Sequence, residues 1–318
     1  MSSATPSSTN SKTIPNPLGV HALTWVGGWS HEQCRHACQR TKEAGFSVIE
    51  IPIFDSFQID VPDTIQVLQD YGLTATVSLG LNFEQDINNE DPEIVAQGLQ
   101  ILRRALDIVH QLGGTYMGGV IYSALGKYSV ACTAKARANV VASLKILAQE
   151  AAAKGITLGL EAVNRYETNL LNTVEQAVQL IREIDEPNIR VHLDTYHMNI
   201  EEYDLESPIL QHAQYIGYVH IGASHRGGLG TGNIDFDQFF GALAKIDYQG
   251  VITFESFSSE IVDGTLTKAL CIWRNLWHDN LQMATESRKY IEEKIQQAHK
   301  RKRQATEASW LPTTASYG

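Results

Sequence analysis

The stretch "IRVHLDTYHMNIEE" (residues 189–202) carries an apolar run that stops at two ionisable side chains. From Ile189 to Leu193, apolar residues alternate with polar ones, a pattern that predicts a largely buried strand. Asp194 and His197 follow where the run ends. A carboxylate and an imidazole in such a place need polar partners, and other strands that end at the same edge of a sheet would supply them.

Similar apolar runs recur along the whole chain. They are short, and each is bounded by polar or glycine-containing segments, which is typical of strands buried on both faces. The eight runs cover residues 18–25, 46–53, 73–81, 114–122, 156–163, 189–195, 216–222 and 250–257.

Segments with helical spacing separate these strands. Residues 91–114 place apolar side chains on one stripe and stop at a glycine, and residues 131–155 repeat that plan. Residues 172–184 begin with Thr173 and Gln176, which have the spacing of a capping box. The chain therefore alternates strands with helices from residue 18 onward.

Strands that alternate with helices favour a parallel sheet. Eight such units over about 250 residues predict a (β/α)8 TIM barrel, an α/β fold in a single domain. A doubly wound sheet is the alternative. It usually has a glycine-rich phosphate loop after its first strand, and "TWVGGWS" (residues 24–30) does not match that pattern.

The barrel domain is predicted over residues 18–298, between two tails. Ser, Thr and Pro dominate residues 1–17, which predicts a disordered N-terminal tail, and no apolar segment there suggests a secretory signal. The last helix is expected to end near residue 298. Residues 299–318 are then a flexible C-terminal tail, in which "KRKR" is a solvated helix end.

The composition excludes several classes of function. Hydrophobic residues make up 43% and charged residues 19% of the 318 residues, which is an ordinary globular composition. The net charge of −11 argues against a nucleic-acid partner, and without a long apolar run we expect no membrane partner. The four cysteines form no disulfide framework, so we expect a reducing, cytoplasmic location. Cys34 and Cys38, near His31, are interpreted as a packed helix face, with a metal site as the alternative.

In a barrel of this type, function lies at the carboxyl ends of the strands. The last four predicted strands each end in a potential metal ligand: Glu161, Asp194, His220 and Glu255. Three carboxylates in one pocket repel one another unless a cation joins them. Three carboxylates and one imidazole favour Mn²⁺, Mg²⁺ or Co²⁺. Each residue taken singly is also compatible with a salt bridge or a hydrogen-bonded core position, so the residue pattern leaves the metal site open.

Other polar residues of the same region are weighed in the same way. Arg226 lies in the glycine-rich "HRGGLGTGN", where it either reaches inward or is a solvated loop residue. His192 is expected to be a hydrogen-bonded core residue one layer deeper than Asp194. His21, His110 and His212 have no such neighbours and are interpreted as structural.

These residues resemble the ketose 3-epimerases, the D-tagatose, D-allulose and L-ribulose 3-epimerase group of the xylose-isomerase-like TIM barrels. The resemblance covers roughly residues 18 to 290. The motifs that carry it are "LEAVNRYE" (160–167), "LDTYHMNIEE" (193–202), "HIGASHRGGLGTG" (220–232), and "GVITFESF" (250–257) followed by "IWRNLWHDN" (272–280). One departure is Ala223, since the family usually has glutamate at this position.

The resemblance implies the roles of the residues. Glu161, Asp194, His220 and Glu255 would bind one divalent metal ion, Mn²⁺ first and Co²⁺ or Mg²⁺ as alternatives. Glu161 and Glu255 would also be the catalytic acid and base, and Glu167, His197 and Arg226 would bind the substrate. The implied reaction is epimerisation of free ketoses at C3 (D-fructose to D-allulose, L-ribulose to L-xylulose, D-tagatose to D-sorbose) by deprotonation and reprotonation through an enediolate. The family also implies a homodimer or homotetramer, with the "CIWRNLW" helix as a candidate interface.

Three rival functions remain open at this point. An aldose–ketose or hydroxypyruvate-type isomerase would use the same barrel but move the proton between C1 and C2. A metal-dependent nuclease would need more ligands and a basic face. A non-catalytic sugar-binding barrel would not need two carboxylates on one metal.

Overall fold

A computed structural model describes residues 14–54, 58–262 and 264–309 of the chain. Eight parallel strands close into a barrel in sequence order, with the first strand paired to the last. The (β/α)8 prediction is therefore confirmed, and closure excludes the doubly wound alternative. The strands are β1 Leu18–His21, β2 Val48–Pro52, β3 Thr74–Leu81, β4 Tyr116–Ala124, β5 Thr157–Glu161, β6 Ile189–Asp194, β7 Ile216–Ile221 and β8 Ile252–Phe254.

Helices on the outside connect the strands. The predicted capping box of α5 is present, with Thr173 accepting from the backbone of Gln176 and the Gln176 side chain accepting in return. The helices are α1 His31–Glu43, α2 Val61–Tyr71, α3 Pro92–Gln111, α4 Ala134–Ala153, α5 Val174–Ile184, α6 Thr195–Glu201, α7 Ser207–Gln211, α8 Phe236–Lys245, α9 Gly264–Ala269 and α10 Asn280–Ser309, with short 3-10 turns at Ala22–Thr24, Phe83–Gln85 and Ala213–Tyr215. None of the helices in the described part of the chain is long and apolar enough to span a bilayer.

Aromatic rings fill the interior of the barrel below the strand ends. Tyr116 stacks on Tyr218 with 4.1 Å between ring centroids. Gly159 makes room for this stack, because a Cβ atom there would lie 1.8 Å from the Tyr116 hydroxyl. His192 packs edge-on against Tyr218 and His220. His192 is buried as predicted, but its two ring nitrogens have no hydrogen-bond partner among the described residues, so the predicted hydrogen bond is wrong.

The predicted domain boundaries need correction at both ends. The last helix continues to Ser309, so the flexible tail predicted from residue 299 is wrong as far as Ser309. Two residues of the basic cluster are paired there: Arg301 donates to Asp237, and Lys302 donates to Asp247 and to a carbonyl of α8. Residues 310–318 lie outside the described residues.

At the other end, the chain enters the barrel before residue 18. Asn16 is buried and donates to the carbonyls of Tyr248 and Gly250, each at 3.0 Å. Residues 14–17 therefore belong to the barrel rather than to the predicted tail, and residues 1–13 lie outside the described residues.

Two further expectations concern helices and cysteines. The segment from Cys271 to Asp279 is not helical, contrary to the predicted "CIWRNLW" helix, since Cys271 takes a left-handed backbone conformation (φ 54°) that ends the short helix α9. Trp273 is largely exposed there. Cys34 and Cys38 are buried on α1 as a packed face, and His31 bonds to Asp63 instead.

Candidate active site

The carboxyl ends of β5 to β8 bring four predicted ligands to one place. Glu161 and Asp194 are the last residues of β5 and β6, His220 is the penultimate residue of β7, and Glu255 directly follows β8. The register between β6 and β7 sets Asp194 beside His220. All four side chains are buried, so they form one cluster at the base of a cleft.

The distances within this cluster are short. The Nδ1 atom of His220 lies 3.2 Å from a carboxylate oxygen of Glu161 and 3.6 Å from one of Glu255. One ligand atom each of Asp194, His220 and Glu255 lies within 4.8 Å of the others. Atoms this close could share a single cation, because ligands of one ion each lie about 2.0–2.6 Å from it.

The three residues predicted to hold substrate line the same cleft. Arg226 donates to Asp194 at 3.0 Å and to Glu255. The Nε2 atom of His197 lies 3.4 Å from Asp194 and 3.9 Å from Glu167. The seven predicted site residues thus form one contiguous group. Six of them line a cleft of about 470 Å³ that opens to solvent, and Asp194 is buried behind Arg226 and His197.

Arg226 reaches inward, as one of the two readings of its loop predicted. Its backbone is left-handed (φ 62°), a conformation uncommon for a residue with a side chain. Such conformations persist where surrounding contacts hold them. Here the guanidinium lies 3.9 Å from the ring centre of Tyr196 and 5.1 Å from that of Phe257. Aromatic rings and carboxylates together fix this cation beside the cluster.

Polar groups of both kinds surround the ring of His197. The Asn164 amide N–H donates to Nδ1 of His197 at 3.1 Å, and a backbone amide can only donate. The Nε2 atom lies 3.2 Å from the guanidinium of Arg226, which also only donates, and 3.4 Å from a carboxylate oxygen of Asp194. Contacts with Asn164 and Arg226 therefore hold the imidazole of His197 beside the cluster.

Burial and charge pull the pKa values of the carboxyl groups apart. Burial, reinforced by Asp194 and Glu161, raises the pKa of Glu255 to about 8, although Arg226 and His220 act in the opposite direction. For Asp194, burial also acts to raise the pKa, but Arg226 and His197 outweigh it and the pKa is lowered. Carboxyl groups with opposite shifts in one cleft are a common feature of acid–base sites.

The charge balance of the cluster fits a divalent cation. Four buried carboxylates (Glu50, Glu161, Asp194 and Glu255) face the guanidinium of Arg226 and the imidazole of His220. The raised pKa of Glu255 favours its protonated form at neutral pH, so even with a protonated imidazole three negative and two positive charges leave a surplus of one negative charge. Buried charge without compensation is costly. Three carboxylates and one imidazole, all buried at the strand ends, are hard donors that suit Mn²⁺, Mg²⁺ or Co²⁺.

Two polar residues of the site were not among the sequence predictions. Glu50 is fully buried on β2 and contacts His220 across the barrel. A charged residue inside the apolar run "SVIEIPI" was the available signal. Asn164, within "LEAVNRYE", bonds to both Glu167 and His197. His21, interpreted as structural, also lines the cleft, where its Nδ1 accepts from the backbone of Leu23.

Two aromatic residues and Ala223 lie close to the site. Trp25 is buried and donates its ring N–H to Thr41 of α1, whereas Phe257 lines the cleft. Ala223, which stands where the family usually has glutamate, is buried, and its carbonyl accepts from the Arg226 backbone. Ala223 therefore lies in the turn that sets the position of Arg226.

Known proteins resemble this chain over most of its length. The model of the xylose isomerase-like TIM barrel family matches residues 38–294. An L-ribulose 3-epimerase from Methylomonas sp. is 51% identical, covering 87% of this chain and 96% of the relative. A ketose 3-epimerase from Arthrobacter globiformis is 48% identical with the same coverage. A crystal structure of a D-allulose 3-epimerase from Methylomonas sp. has a TM-score of 0.86 at 50% identity, covering 89% of this chain and 99% of that one.

The fold and the polar cluster define a barrel enzyme with its site at the carboxyl ends of the strands. The chain belongs to the xylose isomerase-like TIM barrel family and, within it, to the ketose 3-epimerases. Its reaction class is accordingly that of an isomerase acting on carbohydrates.

Proposed function

We propose that this protein is a metal-dependent ketose 3-epimerase that acts on free ketoses, among them L-ribulose, D-fructose and D-tagatose. The observation that carries the proposal is that two buried carboxyl groups, Glu161 and Glu255, lie 3.2 and 3.6 Å from the same nitrogen, Nδ1 of His220, at the base of the cleft. The names of two relatives that are 51% and 48% identical, an L-ribulose 3-epimerase and a ketose 3-epimerase, support the substrate class.

The chemistry of the reaction matches this arrangement. Epimerisation at C3 removes a proton next to a carbonyl and returns one to the opposite face, so a base and an acid must flank the carbon. Glu161 on β5 and Glu255 after β8 have the positions for these roles. The raised pKa of Glu255 (about 8) suits a group that both donates and accepts a proton near neutral pH.

The remaining residues orient the substrate. Arg226 presents its guanidinium to the cleft and can donate to the oxygens of the C1–C2 end, and Glu167 can accept from a hydroxyl. His197 lines the cleft beside them, with Nε2 3.2 Å from the guanidinium, and would bind the same end of the substrate. Glu161, Asp194, His220 and Glu255 would hold the metal, Mn²⁺ first and Co²⁺ or Mg²⁺ as alternatives. When bound, the ion would act as a Lewis acid on substrate oxygens.

A turnover assay with controlled metal content tests the proposal. The protein is treated with EDTA, then supplied separately with Mn²⁺, Co²⁺ or Mg²⁺, and incubated with L-ribulose, D-fructose or D-tagatose. NMR or chromatography identifies the products. We expect L-xylulose, D-allulose and D-sorbose to form only with metal.

Each other outcome has a defined meaning. Glucose or mannose from fructose would assign the proton transfer to C1 and C2, as in an aldose–ketose isomerase. Full turnover after EDTA treatment would refute the metal requirement. Sugar binding without turnover under every metal would indicate a binding protein, and cleavage of nucleic acid would indicate the nuclease.

The proposal extends to assembly and location. We propose a homodimer or homotetramer, because the exposed Tyr166, Tyr203 and Trp273 are large apolar side chains that an interface could cover. Light scattering of the purified protein would give the assembly size, and a monomer would contradict the proposal. The four free cysteines support a reducing location such as the cytoplasm.

A further inference from the structure

Glu50 is a buried carboxylate that the proposed reaction does not use. It lies within β2, has no exposed surface, and pairs in register with His21 of β1 and Thr76 of β3. Both of its carboxylate oxygens lie next to Nε2 of His220, at 2.8 and 2.9 Å. Since β2 and β7 are not neighbours in the barrel, this contact crosses the interior.

The surroundings hold Glu50 in this position. The hydroxyl of Tyr218 donates to Glu50 at 2.8 Å, and hydroxyls of Thr76 and Thr253 lie 2.7 and 2.6 Å from the same tyrosine oxygen. A carboxylate only accepts, so the tyrosine proton goes to Glu50 and the two threonines donate to the tyrosine. Three side chains from three strands (Thr76 of β3, Tyr218 of β7 and Thr253 of β8) thus orient one carboxylate.

This arrangement determines the orientation of the His220 ring. Because Glu50 accepts, Nε2 of His220 must carry a hydrogen. Only Nδ1 remains to face the cluster, where it lies 3.2 Å from Glu161 and 3.6 Å from Glu255. A ring turned over would bring Nδ1 to Glu50 and place the wrong nitrogen among the carboxylates.

We propose that Glu50 is the positioning residue of the candidate metal centre. It does not bind the ion. It accepts a hydrogen bond from Nε2–H of His220 so that the lone pair of Nδ1 points at the ion. Its negative charge also makes the imidazole a stronger ligand for the metal. Carboxylates behind a metal-bound histidine act in this way in other proteins, and their loss typically weakens metal binding by about 10- to 100-fold. The inference rests on the metal site of the proposed function.

The test measures metal binding directly, without turnover. Co²⁺ is titrated into EDTA-treated protein, with the dissociation constant measured by calorimetry and the ligand geometry followed by the visible absorption of the bound ion. Glu50→Gln keeps the shape of the side chain and removes its charge. We expect Co²⁺ to bind about 10- to 100-fold more weakly and with a changed spectrum. In ¹⁵N NMR of the wild type, His220 should carry its proton on Nε2, and this preference should weaken in Glu50→Gln.

Asp86→Asn is the matched control. Asp86 is also a buried carboxylate, and it accepts from the Tyr128 hydroxyl and two backbone amides outside the cluster. Its variant should lose stability but bind Co²⁺ like the wild type. Should Glu50→Gln not fold, Tyr218→Phe removes one of the donors that hold Glu50, and we expect several-fold weaker Co²⁺ binding with an altered spectrum.

The outcomes separate this inference from the proposed function. If Glu50→Gln binds Co²⁺ with unchanged affinity and an unchanged spectrum, the role of Glu50 is overturned and the epimerase proposal is left intact. If Glu50→Gln does not fold, the same result in Tyr218→Phe has the same meaning. A wild type that binds Co²⁺ at this site but does not epimerise ketoses would overturn the proposed function and leave the role of Glu50 intact. A wild type that binds no cation would overturn both.

Discussion

Replacing Glu255 with glutamine should remove most of the activity and yet stabilise the EDTA-treated protein at alkaline pH. Glu255 is buried, accepts from Arg226, and lies 3.6 Å from His220 Nδ1. Its pKa is raised from 4.5 to about 8 by burial and by the charges of Asp194 and Glu161. Glutamine has the same shape as the protonated carboxyl group of Glu255 and is likewise uncharged, and the folded protein favours this protonated form.

The size of the activity loss follows from the role of the residue. An acid–base group contributes roughly 10²- to 10⁴-fold, and glutamine is also a weaker metal ligand. We therefore expect kcat/KM to fall by about 10³-fold or more, a loss of roughly 4 kcal/mol in transition-state stabilisation.

The sign of the stability change depends on pH. Because the folded-state pKa lies above the unfolded value, the folded protein loses stability as pH rises from 4.5 to about 8, and it does not recover above that range. One pKa unit corresponds to about 1.4 kcal/mol, so the ionised carboxylate costs on the order of a few kcal/mol. Glutamine avoids this cost. At roughly 2–4 °C per kcal/mol, its Tm should exceed that of the wild type by several degrees at about pH 9 and by little at about pH 5.

The assay combines thermal unfolding of EDTA-treated protein at both pH values with turnover of L-ribulose in the presence of metal. Glu260→Gln, an exposed carboxyl group on the same segment, is the control and should change neither quantity. Activity within tenfold of the wild type would refute the acid–base role of Glu255. An equal Tm difference at the two pH values would refute the repulsion argument.

Three further predictions concern positioning and packing. Asn164→Ala removes a side-chain donor to Nδ1 of His197 but leaves the backbone donor, so kcat/KM should fall by about tenfold, mainly through KM; unchanged steady-state kinetics would contradict this. Deleting residues 299–318 removes the ion pairs of α10 with α8 and should cost about 1–2 kcal/mol in urea unfolding while turnover stays intact. Gly159→Ala should destabilise the barrel by about 1–3 kcal/mol or prevent folding. Gly241→Ala on α8 places its methyl group in open space and should stabilise the protein by roughly 0.5–1 kcal/mol. Calorimetry would detect both changes in stability.

The barrel could be predicted from the sequence because each strand is a short apolar run and each long helix has apolar side chains along one face. The pattern could not predict where α10 ends. Its last turns contact Asp237 of α8 through Arg301 and Asp247, just after α8, through Lys302, and both carboxylates lie more than fifty residues away in sequence. Such pairs arise only once the fold has brought α8 and α10 together, so local composition suggested a tail.

The site also contains residues that local sequence patterns predict and one residue whose role depends on the tertiary fold. Glu161, Asp194 and Glu255 could be predicted because they stand where apolar runs stop, and parallel strands bring such positions to one rim. Glu50 stands inside an apolar run, and its partner His220 is 170 residues away and across the barrel. Its function depends on which side chain it meets in the interior, which strand periodicity does not specify.

Backbone strain and charge repulsion are concentrated at the same end of the barrel. Among the described residues, four non-glycine residues have positive φ: Asp185, Arg226, Asp247 and Cys271. The two aspartates follow helix ends, where this residue type tolerates the conformation. Arg226 and Cys271 instead line a cavity that adjoins the cleft and shares Arg226 and Phe257 with it. In the cleft itself, the surroundings of Glu255 oppose its ionisation. The closed eight-stranded barrel can sustain both costs, and this is why a substitution that destroys the chemistry is expected to make the cation-free protein more stable.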